Sequence, residues 1–236
     1  MSLIAKTCAL PTTEDLCESI LDRHRQTIGV RKASIAVPKL KRILEAALEL
    51  SNRKGFQAMS LRDLAGASGL SSGGLYAYFD SKATLLQMIL AEVTSVVARV
   101  LEAPPDAIRQ DPVAHLRWLI DTHIRLTEAL LPWFTFAFME AKNFPRAERR
   151  MAVDSEVLTE GFFVNVIRRG VDQGYFRPDT SPLLPALIKP LLQEWYVKRA
   201  KYRKRGIKPE QYSATVQDFV LRACLAEHLA EQRENG

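Results

Sequence analysis

The sequence predicts an all-α protein in which a small N-terminal domain of three helices precedes a larger helical domain. Two observations lead to this prediction. Long stretches show the apolar spacing of helices, and prolines are rare inside these stretches and common between them. No segment alternates β-branched and polar residues as a half-buried strand does. The chain has 236 residues, of which 47% are hydrophobic and 25% are charged, so we expect one or two globular domains.

The basic residues are concentrated near the N-terminus. From Arg23 to Arg62 the chain has ten Lys or Arg residues and two Glu residues, a net charge of +8, and the rest of the chain sums to −2 because the total is +6. A basic segment on a near-neutral protein favours a polyanionic partner. A solvated basic surface is the alternative, and charge alone does not decide between the two.

Residues 38–90 have the pattern of a helix-turn-helix domain. Ser60 and Asp63 resemble a capping box that begins a short helix. Gly69 follows where a tight turn between two helices needs a positive φ angle. Residues 1–37 are predicted to be a basic extension, either partly helical or disordered. The helices predicted around the turn are Lys39 to Lys54, Leu61 to Ser68, Ser72 to Phe79 and Lys82 to Leu101.

Two segments resemble a known family. The sequence GLSSGGLYAYFDSK from Gly69 to Lys82, preceded by SLRDLA from Ser60 to Ala65, is similar to the DNA-binding signature of the TetR family of bacterial repressors. A second segment, GVDQGYFRPD from Gly170 to Asp179, resembles the end of that family's seventh helix. The resemblance implies a DNA-binding domain at residues 38–90. It also implies a ligand-binding and dimerisation domain at residues 91–236, with a homodimer joined through the last two helices.

The resemblance also assigns DNA contacts residue by residue. Ser60, Tyr76, Tyr78 and Lys82 would contact phosphates, while Ser71, Ser72 and Gly73 would lie nearest the base edges and Arg62 could reach either. A packed aromatic cluster is the alternative for the two tyrosines. The second helix has no Arg, Asn or Gln for bidentate base contacts, so we expect modest direct readout helped by DNA shape.

The basic arm before the helix-turn-helix is a further candidate DNA contact. Lys39 and the basic residues that precede it are expected to follow the DNA backbone or enter the minor groove. A disordered tail is the alternative.

Large apolar side chains are frequent between residues 112 and 163, where the resembled family holds its inducer. They predict a cavity for a small apolar or aromatic ligand, with an ordinary hydrophobic core as the alternative. His115 and His123 are eight residues apart, too far for a standard metal pair, so neither a metal nor a cofactor is expected. The candidate ligand contacts are Trp118, His123, Phe134, Phe138, Met139 and Phe162.

The last two long helices carry more apolar residues than two helices at the edge of a single domain would bury. A four-helix dimer interface would bury them. Between these helices, residues 198–208 form a basic run. We interpret this run as a solvated helix end, and a second contact with an anion is the alternative. The candidate interface residues are Leu191, Trp195, Phe219, Val220 and Ala223.

These features together predict a sequence-specific DNA-binding transcriptional regulator, a repressor that a small ligand releases from a double-stranded DNA operator. A constitutive or architectural DNA-binding protein is one alternative, and a helical enzyme is another, although no catalytic motif is present. The N-terminus lacks the pattern of a secretory signal, and the three cysteines are scattered. A cytoplasmic protein without a membrane partner is therefore expected.

Overall fold

The computed structural model describes residues 10–227, and within that range every regular element is a helix. An isolated bridge between Phe176 and Leu225 is the one β interaction of this range. The all-α prediction is confirmed. The helices are α1 (Thr13–Arg23), α2 (Ala33–Lys54), α3 (Leu61–Ser68), α4 (Ser72–Tyr76), α5 (Lys82–Leu101), α6 (Asp106–Gln110), α7 (Pro112–Ala129), α8 (Leu131–Met139), α9 (Arg146–Asp172), α10 (Leu184–Val197), α11 (Arg199–Lys204) and α12 (Pro209–Cys224).

The described residues form two compact units. The first, which we call the head, contains Pro11–Val96 and Ala129–Ser155. The second, which we call the body, contains Val97–Glu128 and residues 156–227, together with Leu10. The head thus includes α1, which lies in the predicted N-terminal extension, and α8, which lies in the segment predicted to bind ligand.

Helix α1 is an integral part of the head. It begins with a capping box formed by Thr12 and Asp15. Its buried face packs on α2. Ser19 Oγ donates a hydrogen bond of 3.0 Å to Glu92 Oε2, and Arg23 Nη2 lies 3.2 Å from the same oxygen. Glu92 is fully buried in α5, so α1 supplies the partners of a charge in the interior of the head.

Helix α2 begins earlier than the sequence pattern indicates. A start at Lys39, just after Pro38, was expected, but α2 begins at Ala33 and contains Pro38. Pro38 has no N–H to donate to the Ser34 carbonyl, so the helix forgoes one hydrogen bond. Ala36 and Val37 are buried, and we attribute the early start to the packing of these side chains.

The body is organised around α7, α10 and α12. Trp195 of α10 is fully buried, and its Nε1 donates a hydrogen bond of 3.1 Å to Glu128 Oε2 of α7. Arg199 binds both oxygens of Glu128, each at 2.7 Å. Near the end of α9, the Phe176 ring lies so close to Gly170 that a Cβ at this position would collide with it. This contact explains the glycine within the second family-like segment.

Helix α5 is the one helix among the described residues that is long and apolar enough to cross a membrane, with a mean hydropathy of 1.6. In the structure, 56% of this segment is buried inside the protein, and it carries the buried Glu92. A core helix of a globular protein meets the same criteria of length and composition, so α5 is weak evidence for a membrane span.

Candidate nucleic-acid interface

The turn between α3 and α4 has the geometry that the sequence predicts. Gly69 ends α3 in the left-handed conformation, with φ 65° and ψ 29°. The N–H of Leu70 donates to the Ala65 carbonyl at 3.1 Å and closes the turn. A Cβ at position 69 would also collide with the guanidinium of Arg42, which lies over the turn from α2. The left-handed backbone therefore favours glycine at position 69, whereas the flexible Arg42 side chain could move aside.

The start of α3 is fixed by the predicted capping box. Ser60 Oγ accepts a hydrogen bond from the Asp63 N–H at 3.1 Å and donates one of 2.7 Å to Asp63 Oδ2. Lys54 Nζ lies 2.6 Å from the same carboxylate oxygen. Hydrogen bonds from Lys54 first, and then from Ser60, hold the pKa of Asp63 well below its ordinary value. The Ser60 hydroxyl is thus already engaged in the cap.

Helix α4 presents small, exposed groups at its beginning. Ser71 is the N-cap and accepts a hydrogen bond from the Gly74 N–H at 3.1 Å, and Ser71, Ser72 and Gly73 are all exposed. The two glycines differ in their surroundings. A Cβ on Gly74 would lie 3.3 Å from Ser71 Oγ, whereas a Cβ on Gly73 would meet nothing within 4 Å. Nothing in the described chain therefore requires glycine at position 73.

Helix α4 ends at Tyr76, earlier than the expected Phe79. The Ala77 carbonyl accepts a hydrogen bond of 2.8 Å from the Gly29 N–H in the loop between α1 and α2. In a helix ending at Phe79 this carbonyl would have no partner within the helix, so the loop supplies one. The Phe79 N–H still donates to the Leu75 carbonyl at 3.3 Å, and the Gly29 bond does not explain why the regular helix stops at Tyr76.

The end of α4 separates two tyrosines that were both expected to contact phosphates. Tyr76 is 56% exposed, whereas Tyr78 is 2% exposed. The Tyr78 hydroxyl is buried with no hydrogen-bond partner among the described residues, and burial raises its pKa. A hydroxyl in this position cannot reach DNA, so the phosphate assignment of Tyr78 is wrong for this conformation. The alternative, a packed aromatic ring, holds for this residue.

Lys82, at the start of α5, is held by the loop between α2 and α3. Its ammonium donates a hydrogen bond of 3.0 Å to the Gln57 carbonyl and lies 5.1 Å from the centre of the Phe56 ring. Burial, and then the charge of Lys54, lower the pKa of Lys82. A lysine ammonium has three donors, so a phosphate contact remains compatible with this arrangement.

The same loop is tied to the end of α8. The Phe56 N–H donates a hydrogen bond of 3.1 Å to Glu140 Oε2, and the Phe136 ring packs edge-on against Phe56 at 5.5 Å. The sequence analysis did not identify Glu140 as a contact of this loop, because the two bonded residues are 84 positions apart. Helix α8 thus braces the helix-turn-helix from within the head.

Several of the basic residues form ion pairs within the head. Arg23, Arg25, Arg53 and Lys54 form ion pairs with Glu92, Asp22, Glu49 and Asp63 respectively. Within the segment from Arg23 to Arg62, the basic residues that are exposed and form no ion pair with a described residue are Arg31, Lys32, Lys39, Arg42 and Arg62. These five remain available to a polyanion.

The predicted ligand contacts are divided between the two units. Trp118 and His123 are buried in the body, and Phe162 is half-buried there. Phe134 is buried in the head, whereas Phe138 and Met139 are 41% and 50% exposed there. The ligand role of these residues stays a prediction. Within residues 10–227 no three His, Cys, Asp or Glu side chains are grouped so as to hold a metal ion.

The predicted dimer residues fall into two sets. Phe219 and Ala223 are exposed on α12, and Leu191 is half-buried on α10. Trp195 and Val220 are fully buried within the body, so their assignment to an interface is wrong, because neither of them reaches the surface of this chain. Leu187, next to the buried Ile188, is 60% exposed and was missed.

The sequence of the chain is similar to those of known transcriptional regulators. A family model described as bacterial regulatory proteins, tetR family, matches residues 43–89, which contain most of α2, all of α3 and α4, and the first turns of α5. Over 140 residues the chain is 30% identical to the HTH-type transcriptional repressor KstR2 of Rhodococcus jostii (strain RHA1). This alignment covers 58% of the chain and 67% of that protein.

Solved structures have a similar fold. The TetR family transcriptional regulator PfmR from Thermus thermophilus matches with a TM-score of 0.61 and 27% identity, over 78% of this chain and 94% of that one. The ketosteroid transcriptional regulator KstR2 of Mycobacterium tuberculosis matches with a TM-score of 0.61 and 22% identity, over 86% and 100% respectively. At this lower identity the similarity shows the fold alone.

Proposed function

This chain belongs to the TetR family of bacterial transcriptional regulators and is a DNA-binding regulator, and on that premise we propose that it is a homodimeric, ligand-released repressor. The DNA-binding domain would be residues 38–90 and the ligand-binding and dimerisation domain residues 91–236. Such a repressor acts where the chromosome lies, so its place of action is the cytoplasm.

The observation that carries the DNA-binding surface is the exposed beginning of α4. Ser71, Ser72 and Gly73 offer small groups at the position that enters a major groove in helix-turn-helix proteins. Gly73 has open space around it and lies in a helix, where a glycine costs roughly 1 kcal/mol relative to alanine. Close approach of DNA to this backbone would explain the glycine at position 73, for which no described residue gives a reason.

Phosphate contacts would surround this reading surface. Tyr76 and Lys82 lie at the end of α4 and the start of α5, and Ser60 and Lys39 are exposed on neighbouring elements. Arg62 is exposed and has no described ion-pair partner, so it is available to either a phosphate or a base. Contacts of this kind position the protein, while base edges and DNA shape supply the specificity.

The dimer would form through α10 and α12. Leu187 of α10 and Phe219 of α12 are each at least 60% exposed, so both are available to a second copy of the chain. We expect Leu187→Glu to convert a dimer to a monomer in analytical ultracentrifugation. Val157→Glu is the matched control, because Val157 is 64% exposed but lies on α9. A Leu187→Glu protein that remains dimeric would contradict this interface.

Ligand control would work as a population shift. A dimer presents its two reading surfaces about 34 Å apart, or a multiple of that, on one side of the DNA. A ligand that prefers another arrangement weakens operator binding by the ratio of its affinities for the two arrangements. Trp118, His123 and Phe162, all in the body, are the proposed contacts.

Two other functions make different predictions. A constitutive or architectural DNA-binding protein would bind DNA equally with and without any small molecule. An enzyme would show turnover, although the known relatives described above are regulators. The aromatic residues buried in the body favour the ligand-controlled repressor.

Selection of bound sequences from a random double-stranded DNA library tests the proposal. Wild-type protein is used at about 0.15 M salt, because lower salt strengthens non-specific binding. We expect enrichment of an inverted repeat, since a two-fold dimer reads two half-sites. Recovery of unrelated sequences after repeated rounds would contradict a specific operator.

A further inference from the structure

Lys189 in α10 is a buried charge that DNA binding and dimerisation do not explain. Its side chain is 7% exposed, and its neighbours Ile188 and Leu192 are fully buried. No hydrogen bond or ion pair joins its ammonium to any of the residues 10–227. Lysine is rarely buried without a partner, because burial removes the hydration of the charge. The fold therefore retains a cation that it does not neutralise at close range.

Acidic groups act on Lys189 only from a distance. Glu156 and Glu160 of α9 favour its charged form, but burial outweighs them and lowers the pKa of Lys189 to about 8. Glu156 is exposed and accepts a hydrogen bond of 2.9 Å from Gln193 instead. At neutral pH most Lys189 side chains are still protonated, so the interior of the body holds a positive charge.

His123 of α7 lies near this charge. It is 3% exposed, and its pKa is held well below the ordinary value, first by burial and then by the charge of Lys189. The imidazole is therefore neutral and keeps one N–H donor. Thr159 of α9 and Tyr196 of α10 are also buried polar residues of the body. A few polar groups within an apolar interior are typical of a small-molecule site.

We propose that Lys189 binds the oxyanion head group of an otherwise apolar ligand, the head group being a carboxylate or a phosphate. This proposal rests on the ligand-controlled function proposed above. An oxyanion supplies the partner that the ammonium lacks, and the pair is strengthened by low polarity around it. A neutral ligand would leave the ammonium unpaired, and a cationic one would add repulsion. Glu156 and Glu160, which favour the charged form of Lys189, would also repel an anion, but less than Lys189 attracts it, because neither forms an ion pair with this lysine and Glu156 is exposed.

Matched probes that differ only in their head group test the proposal. Decanoate, decyl phosphate and decanol form one series, and phenylpropanoate and phenylpropanol form another. Their affinities for the full chain at pH 7 are measured by calorimetry, with wild type, Lys189→Met and the control Lys198→Met. Methionine keeps the length of the side chain without its charge, and Lys198 is an exposed lysine directly after α10.

The expected result is a preference of about tenfold or more for an oxyanion over the alcohol of the same series. Lys189→Met should reduce this preference to about twofold or less, and Lys198→Met should leave it unchanged. The comparison of decanoate with decyl phosphate then identifies which oxyanion fits. The proposal is overturned if no oxyanion is preferred in either series, or if Lys189→Met keeps the wild-type preference.

The operator selection separates this proposal from the repressor function. An oxyanion preference that depends on Lys189, in a protein that selects no DNA sequence, would support the head-group site and contradict the repressor. Normal operator selection without any oxyanion preference would contradict the head-group site alone.

Discussion

The head and the body treat a buried charge in opposite ways. In the head, Glu92 is fully buried on α5, and both Ser19 and Arg23 of α1 reach its carboxylate. In the body, Lys189 is 7% exposed on α10, and no described residue forms an ion pair with its ammonium. The first charge has partners within the chain, whereas the second has no close partner among residues 10–227.

This difference separates a structural charge from a functional one. Pairing of Glu92 attaches α1, which lies before the residues 43–89 matched by the family model, to the core of the head. Removing one partner of such a pair should destabilise the protein. Removing the Lys189 charge should stabilise it, because the attraction of Glu156 and Glu160 does not offset the lost hydration. Stability measurements therefore distinguish the two roles.

The largest expected effect is a gain in stability from Lys189→Met. The pKa of Lys189 falls from 10.5 to about 8 on folding, so the unfolded chain binds this proton more tightly. The lysine then costs roughly 3 kcal/mol below pH 8, and the cost disappears as the pH rises towards 10.5. Urea unfolding without ligand should show the variant more stable by about this amount at pH 7, with the gain shrinking above pH 8. Lys198→Met should change stability by less than about 0.5 kcal/mol, and a loss of stability in Lys189→Met would break the comparison.

The next effect is a loss of stability from Arg23→Ala. This change leaves the buried Glu92 carboxylate with Ser19 but without its cation. We expect a loss of about 2 kcal/mol in the free energy of unfolding, less than for a fully buried pair because Arg23 is 36% exposed. Arg25→Ala removes an exposed pair with Asp22 and should cost less than about 0.5 kcal/mol. Equal effects of the two changes would show that the Glu92 pair has no special structural role.

A smaller effect tests the same contrast within the helix-turn-helix. Tyr76→Phe removes an exposed hydroxyl that we assign to a phosphate, so operator affinity should fall about tenfold with unchanged stability. Tyr78→Phe removes a buried hydroxyl without a described partner, so stability should rise by up to about 1 kcal/mol with unchanged affinity. Gel-shift titration and urea unfolding measure the two properties. A loss of operator affinity in Tyr78→Phe and not in Tyr76→Phe would show that Tyr78 makes the phosphate contact.

Features fixed by neighbouring residues could be predicted from the sequence. The capping box of Ser60 and Asp63 and the left-handed Gly69 depend on groups within a few positions, so their pattern is visible in the chain. The bond from Gly29 to the Ala77 carbonyl and the brace of the α2–α3 loop by Glu140 were not predicted. These contacts join distant parts of the sequence and have no local pattern.

The burial of individual side chains was the hardest feature to predict. Tyr76 and Tyr78 are two positions apart in the family-like segment, yet only the fold shows that one is exposed and the other buried. Trp195 was assigned to an interface because it is apolar, although it lies in the core of the body. Lys189 did have a signal that the sequence analysis did not use, because it is a lone lysine between apolar residues from Leu184 to Leu192.

The central claim, that α4 reads a specific operator, is tested most directly by the affinity of Gly73→Ala for the selected operator and for a scrambled fragment. Gly161→Ala is the control, because Gly161 also lies in a helix, α9, with nothing within 4 Å of a Cβ. Gly73→Ala should lower affinity for the operator about tenfold and leave that for the scrambled fragment unchanged, while Gly161→Ala affects neither. Equal binding of both fragments by the wild type, falling steeply with salt, would contradict the claim.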